Sequence, residues 1–311
     1  MNSLSFKWKI IHMALYENIA EYYDEIFPLK QSRLDFIDSF LKKGVAPPTY
    51  SRSARCRSFV DVISKVCRKK GVAPPTYSRS ARCRSFRGVI SKICRKDKVK
   101  NNLKVLDIGC ATGELALALA KKGHQVAGID LDEKMIALAR GKTKRTGLNT
   151  DFFMKDMTKI GEDFPAVSFD AVLCFGNTLV HLENPEKIKE VFIGIHKVLK
   201  IGGILMVQIV NYDRILSGGI KELPLLESEN FIFRREYRYD KADHRIQFLT
   251  HLTIKKNGEV IKSSEILYPL TFQELKAALE HAGFFKFQFF GSETKIPYKK
   301  NSPTLIAFAQ K

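Results

Sequence analysis

Past residue 100 the chain alternates short apolar runs with amphipathic stretches. Leu103–Ile108 reads as a buried strand, Glu114–Lys122 as a helix built on Leu and Ala, and Gln125–Asp130 as a second strand. Asp132 stands where a helix carrying Met135 and Leu138 needs an N-cap. "TDFFMKD" and "FDAVLCF" predict strands three and four. Asn184-Pro185 opens a helix with Ile188, Val191, Phe192, Ile195 and Leu199 on one face, closing at Gly202-Gly203. "ILMVQIV" is strand five, Thr271 and Glu274 form a capping box before "LKAALEHAGF", and "FKFQFF" and "TLIAFA" end the chain. Strands of this kind, separated by helices, predict an α/β fold with a doubly wound, mainly parallel sheet. Residues 229–268 break the pattern. "FIFRREYRYD", "HRIQFLTHLTIKKNG" and "EVIKSSEILYP" predict an antiparallel β-insertion after strand five, with Asn257-Gly258 as a hairpin turn.

Ahead of this core the pattern is interrupted. A 27-residue unit occurs twice in tandem over 42–95, and the copies differ at only three positions, Val60/Arg87, Asp61/Gly88 and Val66/Ile93. Near-identity at surface as well as core positions points to a recent duplication, and two copies fall short of a solenoid. Each unit starts extended at Val-Ala-Pro-Pro and continues into a short helical spacing at Phe59, Val62, Ile63 and Val66, or Phe86, Val89, Ile90 and Ile93. Two readings stand: a basic arm that contacts RNA or a membrane, or a tolerated, poorly ordered insertion, the latter preferred because ten residues make a marginal helix alone. The predicted organisation is N-terminal lid helices over 1–41, the repeat over 42–95, and the core over 96–311.

The charge follows this division. Of the formal +19, the repeat contributes +14 and the other 257 residues +5, so the basic character belongs to the insert. Four of the six cysteines also lie there, at 56, 67, 83 and 94, in a spacing without the close pairs of a zinc site. The seven histidines are scattered, so no metal is expected. There is no apolar run of membrane-spanning length and the N-terminus lacks a signal-peptide core, which predicts a cytoplasmic protein with no membrane partner.

In a doubly wound sheet, ligands bind beyond the carboxyl ends of the strands. Strand one ends in "LDIGCATG", where Gly109 and Gly113 allow a sharp turn and a close backbone approach. Strand two ends in Asp130, placed to accept hydrogen bonds from ribose hydroxyls. A dinucleotide fingerprint would need glycines where Ala111 and Glu114 stand, and Glu114 at a helix start repels a pyrophosphate. A nucleoside ligand without phosphates fits better.

These residues, "VLDIGCATGELALALA" with Asp130 and "KDM" at 155–157, resemble the class I S-adenosylmethionine-dependent methyltransferases. The resemblance covers 16–41 and 99–311 and implies a seven-stranded Rossmann-like sheet with S-adenosyl-L-methionine as cofactor. It places Asp107, Gly109, Cys110, Ala111 and Gly113 at the methionine end, Asp130 on the ribose, Leu131 on the adenine, Asp156 and Met157 at the adenine edge, and Cys174 beside the site. Ala111 stands where the family usually has its middle glycine.

Within the class, "LCFGNTLVHL", "NYDRIL" and the N-terminal "YYDEIFPLKQSR" are similar to the glycine and sarcosine N-methyltransferases and related small-molecule enzymes. That similarity implies that Tyr23 lies against the cofactor, that Arg33 pairs with its carboxylate, and that Asn177 and His181 line the acceptor site. Tyr23, Asn177 and His181 are thus the catalytic candidates, with His181 the best titratable group for a proton. Val210 replaces the arginine that holds the substrate carboxylate in the glycine enzymes, so glycine itself is disfavoured as acceptor. In the insertion, Tyr237, Tyr239, Arg245 and Tyr268 either shape an acceptor pocket or are surface residues of amphipathic strands. The expected activity is methyl transfer to a small molecule, preferably at an amine nitrogen. The alternatives are an RNA methyltransferase using the repeat as a phosphate-binding arm, and a non-catalytic cofactor-binding protein. Against RNA, the residues after strand four are Phe175-Gly176-Asn177-Thr178, not the Asp/Asn-Pro-Pro-aromatic motif of many base-methylating enzymes.

Overall fold

A computed structural model describes residues 19–42 and 102–311. Apart from Lys42, the tandem repeat lies outside the described residues, and so do the readings that fall on it. The sheet's order is β10-β11-β5-β4-β1-β2-β3. Its strands are β1 (Lys104–Ile108), β2 (Gln125–Asp130), β3 (Thr150–Met154), β4 (Phe169–Cys174), β5 (Leu199–Val210), β10 (Phe285–Phe290) and β11 (Thr304–Gln310). The pairings among β1 to β5 are parallel, and β11 runs antiparallel to both β5 and β10. This is the mostly parallel α/β sheet that the apolar runs predict, with the seven strands that the resemblance implies. Every residue of β4 and all of β1 except Lys104 are buried, because helices cover both faces of these central strands.

One layer consists of α2 (Gln31–Leu41), α3 (Glu114–Lys121) and α4 (Glu133–Thr146), whose buried residues Phe36, Ile37, Leu119 and Ile136 pack with Val105, Leu173 and Met206 of the sheet. The other contains α6 (Pro185–Val198) and α8 (Phe272–His281), where Phe192, Ile195 and Leu275 pack on Leu106, Val172 and Leu205. The start signals act as their chemistry predicts. Asp132 accepts from the Met135 amide at 3.0 Å, Asn184 accepts from the Lys187 amide at 2.9 Å, and Thr271 and Glu274 form a reciprocal capping box.

The predicted helix running to Gly202-Gly203 stops earlier. It ends at Val198, and Leu199 is already extended and paired with Phe169. The next aligned pair is Ala171–Ile204, so residues 200–203 bulge from the strand. Gly202 there has φ +79°, and a Cβ on Gly203 would stand 2.8 Å from the Lys200 carbonyl oxygen. Leu199 continues the apolar spacing of the helix by coincidence, since a first strand residue facing the core is equally apolar.

The predicted insertion is a separate antiparallel sheet, β6-β7-β8-β9. It comprises β6 (Leu226–Glu227), β7 (Phe231–Asp240), β8 (Arg245–Ile254) and β9 (Val260–Leu267). Asn257-Gly258 lies in the loop joining β8 to β9, where the Gly258 amide donates to the Ile254 carbonyl at 2.9 Å. α1 (Tyr23–Ile26) is a single turn beside this sheet, with Ile19 and Ile26 packed among Phe231, Phe233, Leu252 and Ile254.

Candidate active site

The carboxyl ends of β1, β2 and β4 open onto one cleft. Ile108, Gly109 and Ala111 line it from the first strand and its loop; Ile129, Asp130, Leu131, Asp132 and Met135 line it from the second strand and α4. Lys155 and Met157 follow β3, and Phe175, Gly176, Thr178 and His181 follow β4. Tyr23 of α1 supplies a further wall. The sequence-predicted residues Tyr23, Gly109, Ala111, Asp130, Leu131, Met157 and His181 thus meet in one place.

The turn after β1 is shaped by close contacts. Gly109 has φ +68°, and a Cβ there would collide with the Thr178 side chain, whose hydroxyl donates to the Phe175 carbonyl at 2.8 Å. Ala111 also has positive φ, +46°, and its amide donates to Asp130 Oδ2 at 2.9 Å. Asp130 Oδ1 accepts from the Asp132 amide at 3.1 Å. Two backbone donors on different loops therefore fix the plane of this carboxylate at the mouth of β2. A Gly109→Ala variant should lose about 2–4 kcal/mol, combining a left-handed backbone penalty with overpacking. Thermal unfolding of the single variant and of the Gly109→Ala/Thr178→Ala pair tests this, because removing the Thr178 methyl and hydroxyl should restore part of the loss.

Several predicted residues lie outside the lining, each for a visible reason. Asp107 is buried beneath the cleft, where burial first and the Asp130 charge second push its carboxyl up to about 7, with Arg33 opposing. Gly113 precedes α3 and backs onto Phe152. The Cys110 and Cys174 side chains belong to the packed cores on opposite sides of the sheet, and burial raises both thiols above their ordinary range. Asp156 caps the short turn Met157–Lys159, accepting from the Thr158 amide at 2.9 Å and its hydroxyl at 2.8 Å. Asn177 accepts from the Val210 amide at 2.9 Å and donates to the Tyr212 hydroxyl at 3.0 Å, bracing the loop after β4. Arg33 sits over the Phe175 ring at 5.7 Å and pairs with Glu293 at 2.7 Å. The insertion tyrosines divide: Tyr237 and Tyr268 are buried, Tyr239 is exposed, and Arg245 lies over the Tyr268 ring.

The turn α1, which brings Tyr23 to the cleft, is held in place by polar contacts. Asp24 meets Lys142 at 2.5 Å and also Thr112, and Lys142 reaches Glu114 at 2.6 Å. Glu25 accepts from Ser228 at 2.7 Å and Asn230 at 3.0 Å, ahead of β7. Burial first, then Asp130, raises the Tyr23 phenol, so it stays a protonated donor at neutral pH.

Gly176 and Thr178 of "FGNT" and Lys155 of "KDM" also line the cleft, and nothing in their local sequence marks them as site residues. Thr178 is legible only through the collision it would make with a side chain at position 109. Among the described residues no group of acidic, His and Cys side chains is arranged to hold a metal. A cradle that a Cβ at position 109 would fill, a fixed carboxylate at the β2 end, and apolar Leu131, Met135 and Met157 fit a nucleoside with an amino-acid tail. Glu114 at the start of α3 is turned to Lys142.

Known proteins match along these same residues. Residues 105–203 fit the model of a methyltransferase domain. A Geobacillus sp. (strain WCH70) protein named as a methyltransferase is 40% identical over 103 residues, covering 33% of this chain and 40% of that one. The ubiquinone biosynthesis O-methyltransferase of Pseudomonas aeruginosa (strain LESB58) is 34% identical over 108 residues, covering 35% of this chain and 44% of that one. The matched segment thus spans about 40% of the length of these curated relatives. An S-adenosylmethionine-dependent methyltransferase from Clostridium acetobutylicum superimposes with TM-score 0.63 at 14% identity, over 95% of this chain and 98% of that one. An amino pentose methyltransferase from Micromonospora echinaspora, solved with S-adenosylmethionine bound, does so with TM-score 0.52 at 20% identity, over 77% and 100%. Residues 105–203 therefore match a methyltransferase domain, and the described residues carry the Rossmann-like fold of these S-adenosylmethionine-dependent methyltransferase structures.

Proposed function

We propose that the chain is an S-adenosylmethionine-dependent methyltransferase acting on a small molecule, with an amine nitrogen as acceptor. The observation that carries this reading is the convergence of Gly109, Ala111, Asp130, Leu131 and Met157 with Tyr23 and His181 in one cleft. Asp130 would hold the ribose hydroxyls, Leu131 and Met157 the adenine, and the 109–111 turn the methionine end. When bound, the cofactor supplies a sulfonium methyl that the nitrogen's lone pair takes in line, the S–C bonding electrons staying on sulfur.

The protein's own work is then orientation, exclusion of water and proton removal. Tyr23 and Phe175 wall the cleft, and the clasped lid over it keeps solvent from the reacting atoms. An amine needs no strong base before attack; the proton it sheds afterwards passes to the His181 imidazole and on to solvent. Arg33 is placed in the lid beside Phe175, where exchanging Glu293 for the cofactor carboxylate would couple closure to binding.

The small-molecule reading is supported by the insertion sheet packed on the lid and by the amino pentose and sugar N-methyltransferases among its structural neighbours, from Micromonospora echinaspora and a Streptoalloteichus species. It is tested by radiolabelled methyl transfer to small amines and amino acids against bulk RNA, with the full chain and with a chain lacking 42–95. Label in the small-molecule pool from both is expected. Label in RNA that disappears on deletion of the repeat would overturn this reading and make the repeat the functional arm.

A further inference from the structure

Lys142, near the end of α4, joins two stretches of chain that meet at the cleft. Its ammonium donates to Asp24 Oδ2 at 2.5 Å, Glu114 Oε1 at 2.6 Å and Thr112 Oγ1 at 3.1 Å. An ammonium has three N–H groups, so these three acceptors use all of them. The lysine side chain is 17% exposed, against 42% for Asp24 and 46% for Glu114, which makes it the inner member of the group. Thr112 is buried, and its hydroxyl donates in turn to Asp24. Ordering a lysine side chain costs more rotamer freedom than ordering most others, and a single exposed ion pair does not offset that cost. Here one cation is ordered by three partners at once.

Each partner adjoins a residue of the cleft. Asp24 follows Tyr23 in α1, and Tyr23 lines the cleft while packing on the cluster of Ala20, Ala111 and Met135. Thr112 follows Ala111, which also lines the cleft, and precedes Gly113 and the first residue of α3, Glu114. Ala111 at φ +46° carries a backbone cost that surrounding contacts must offset. Burial first and then Asp130 raise the Tyr23 phenol, Arg33 opposes them, and smaller effects of Asp24 and Cys110 set the phenol close to the same turn. Both carboxylates lie within 2.6 Å of one nitrogen, so removing that nitrogen's charge leaves two like charges side by side. Glu114 belongs to a helix packed on the sheet, whereas Asp24 belongs to a single turn. Asp24 is therefore the member that gives way, and Tyr23 moves with it.

We infer that Lys142 is a positioning residue for the amino-acid end of the cofactor, holding Tyr23 and the 109–113 turn at the spacing this end requires. This rests on the reading of the cleft as an S-adenosylmethionine site. The nucleoside end depends on Lys142 much less. Asp130 is held by the Asp132 amide as well as by Ala111, and Leu131 and Met157 lie beyond β2 and β3, away from the Lys142 group. Loss of the ammonium should therefore weaken the hold on one end of the ligand and spare the other. A lysine that served only the stability of the fold would affect both ends alike.

The test titrates the full chain by calorimetry with S-adenosylhomocysteine and with methylthioadenosine, which keeps the nucleoside and the sulfur but lacks the amino-acid end. Lys142→Met should weaken S-adenosylhomocysteine by at least about tenfold and methylthioadenosine by less than about threefold. Asp24→Asn should shift the two ligands in the same unequal way. The double variant should lose no more than about threefold beyond Lys142→Met alone, because both changes break one contact. Both ligands are measured on the same protein, so a smaller folded fraction would lower both affinities by the same factor. An equal loss for the two ligands, additive losses in the double variant, or wild-type affinity for S-adenosylhomocysteine in Lys142→Met would overturn the inference. Binding of neither ligand by the wild-type chain would instead remove the cofactor reading, and the inference with it.

Discussion

Replacing Asp130 with alanine should weaken S-adenosylmethionine binding by about 100-fold or more while leaving the protein folded. A carboxylate accepting from two ribose hydroxyls makes two charge-assisted hydrogen bonds, worth about 1.5–3 kcal/mol each, or about 3–6 kcal/mol together. The same change removes the acceptors of the Ala111 and Asp132 amides, which loosens the turn that must meet the methionine end. It also takes a negative charge away from Asp107, the second cause of that residue's raised pKa, so fold stability gains part of what the turn loses. Calorimetric titration with S-adenosylhomocysteine, together with thermal unfolding of the apo protein, reads both effects. Wild-type affinity in the variant would mean that Asp130 holds its own loops and no ligand.

Asp107 should make the apo protein less stable as the pH rises through the neutral range. Its carboxyl, normally near 3.8, sits at about 7 in the fold because it is buried, with Asp130 adding repulsion. Between those two values the folded protein binds more protons at this site than the unfolded chain does. The stabilising contribution is fully present below about pH 4 and is lost as the pH climbs to about 7, amounting to roughly 4 kcal/mol over the range. An Asp107→Asn variant should lose this slope, so the wild-type-minus-variant difference in thermal midpoint should fall steadily from pH 5 to pH 7.5. Binding a cofactor that brings positive charge should lower the Asp107 pKa and flatten the slope. A difference independent of pH would show that Asp107 stays ionised in the apo fold.

The α/β architecture is legible because burial on both faces of a central strand leaves a short apolar run, as at 169–174, and because Asp132, Asn184 and Thr271 cap their helices by local chemistry. Leu199 shows the limit of that reading: one apolar residue satisfies a helix face and a strand face equally, and only pairing with Phe169 decides between them. In the site, Asp130 and the Gly109 turn are legible because a strand end and a tight turn are encoded within a few residues. Arg33 is less so, since its partner Glu293 is 260 positions away in the chain. Cys110 and Cys174 lie beside site residues in sequence but turn into the packed cores, a direction set by the pleat and loop geometry. Asn177 lies outside the cleft lining because its side chain braces the loop after β4 against β5, a tertiary contact with no local signature.

The measurement that bears most directly on the central claim is a crystal structure of the full chain with S-adenosylhomocysteine. The account predicts the ribose hydroxyls within hydrogen-bond distance of Asp130, the adenine against Leu131 and Met157, and the amino-acid end over the 109–111 turn, with the sulfur facing His181. A ligand seated elsewhere, or reversed so that its amino-acid end meets Asp130, would contradict it.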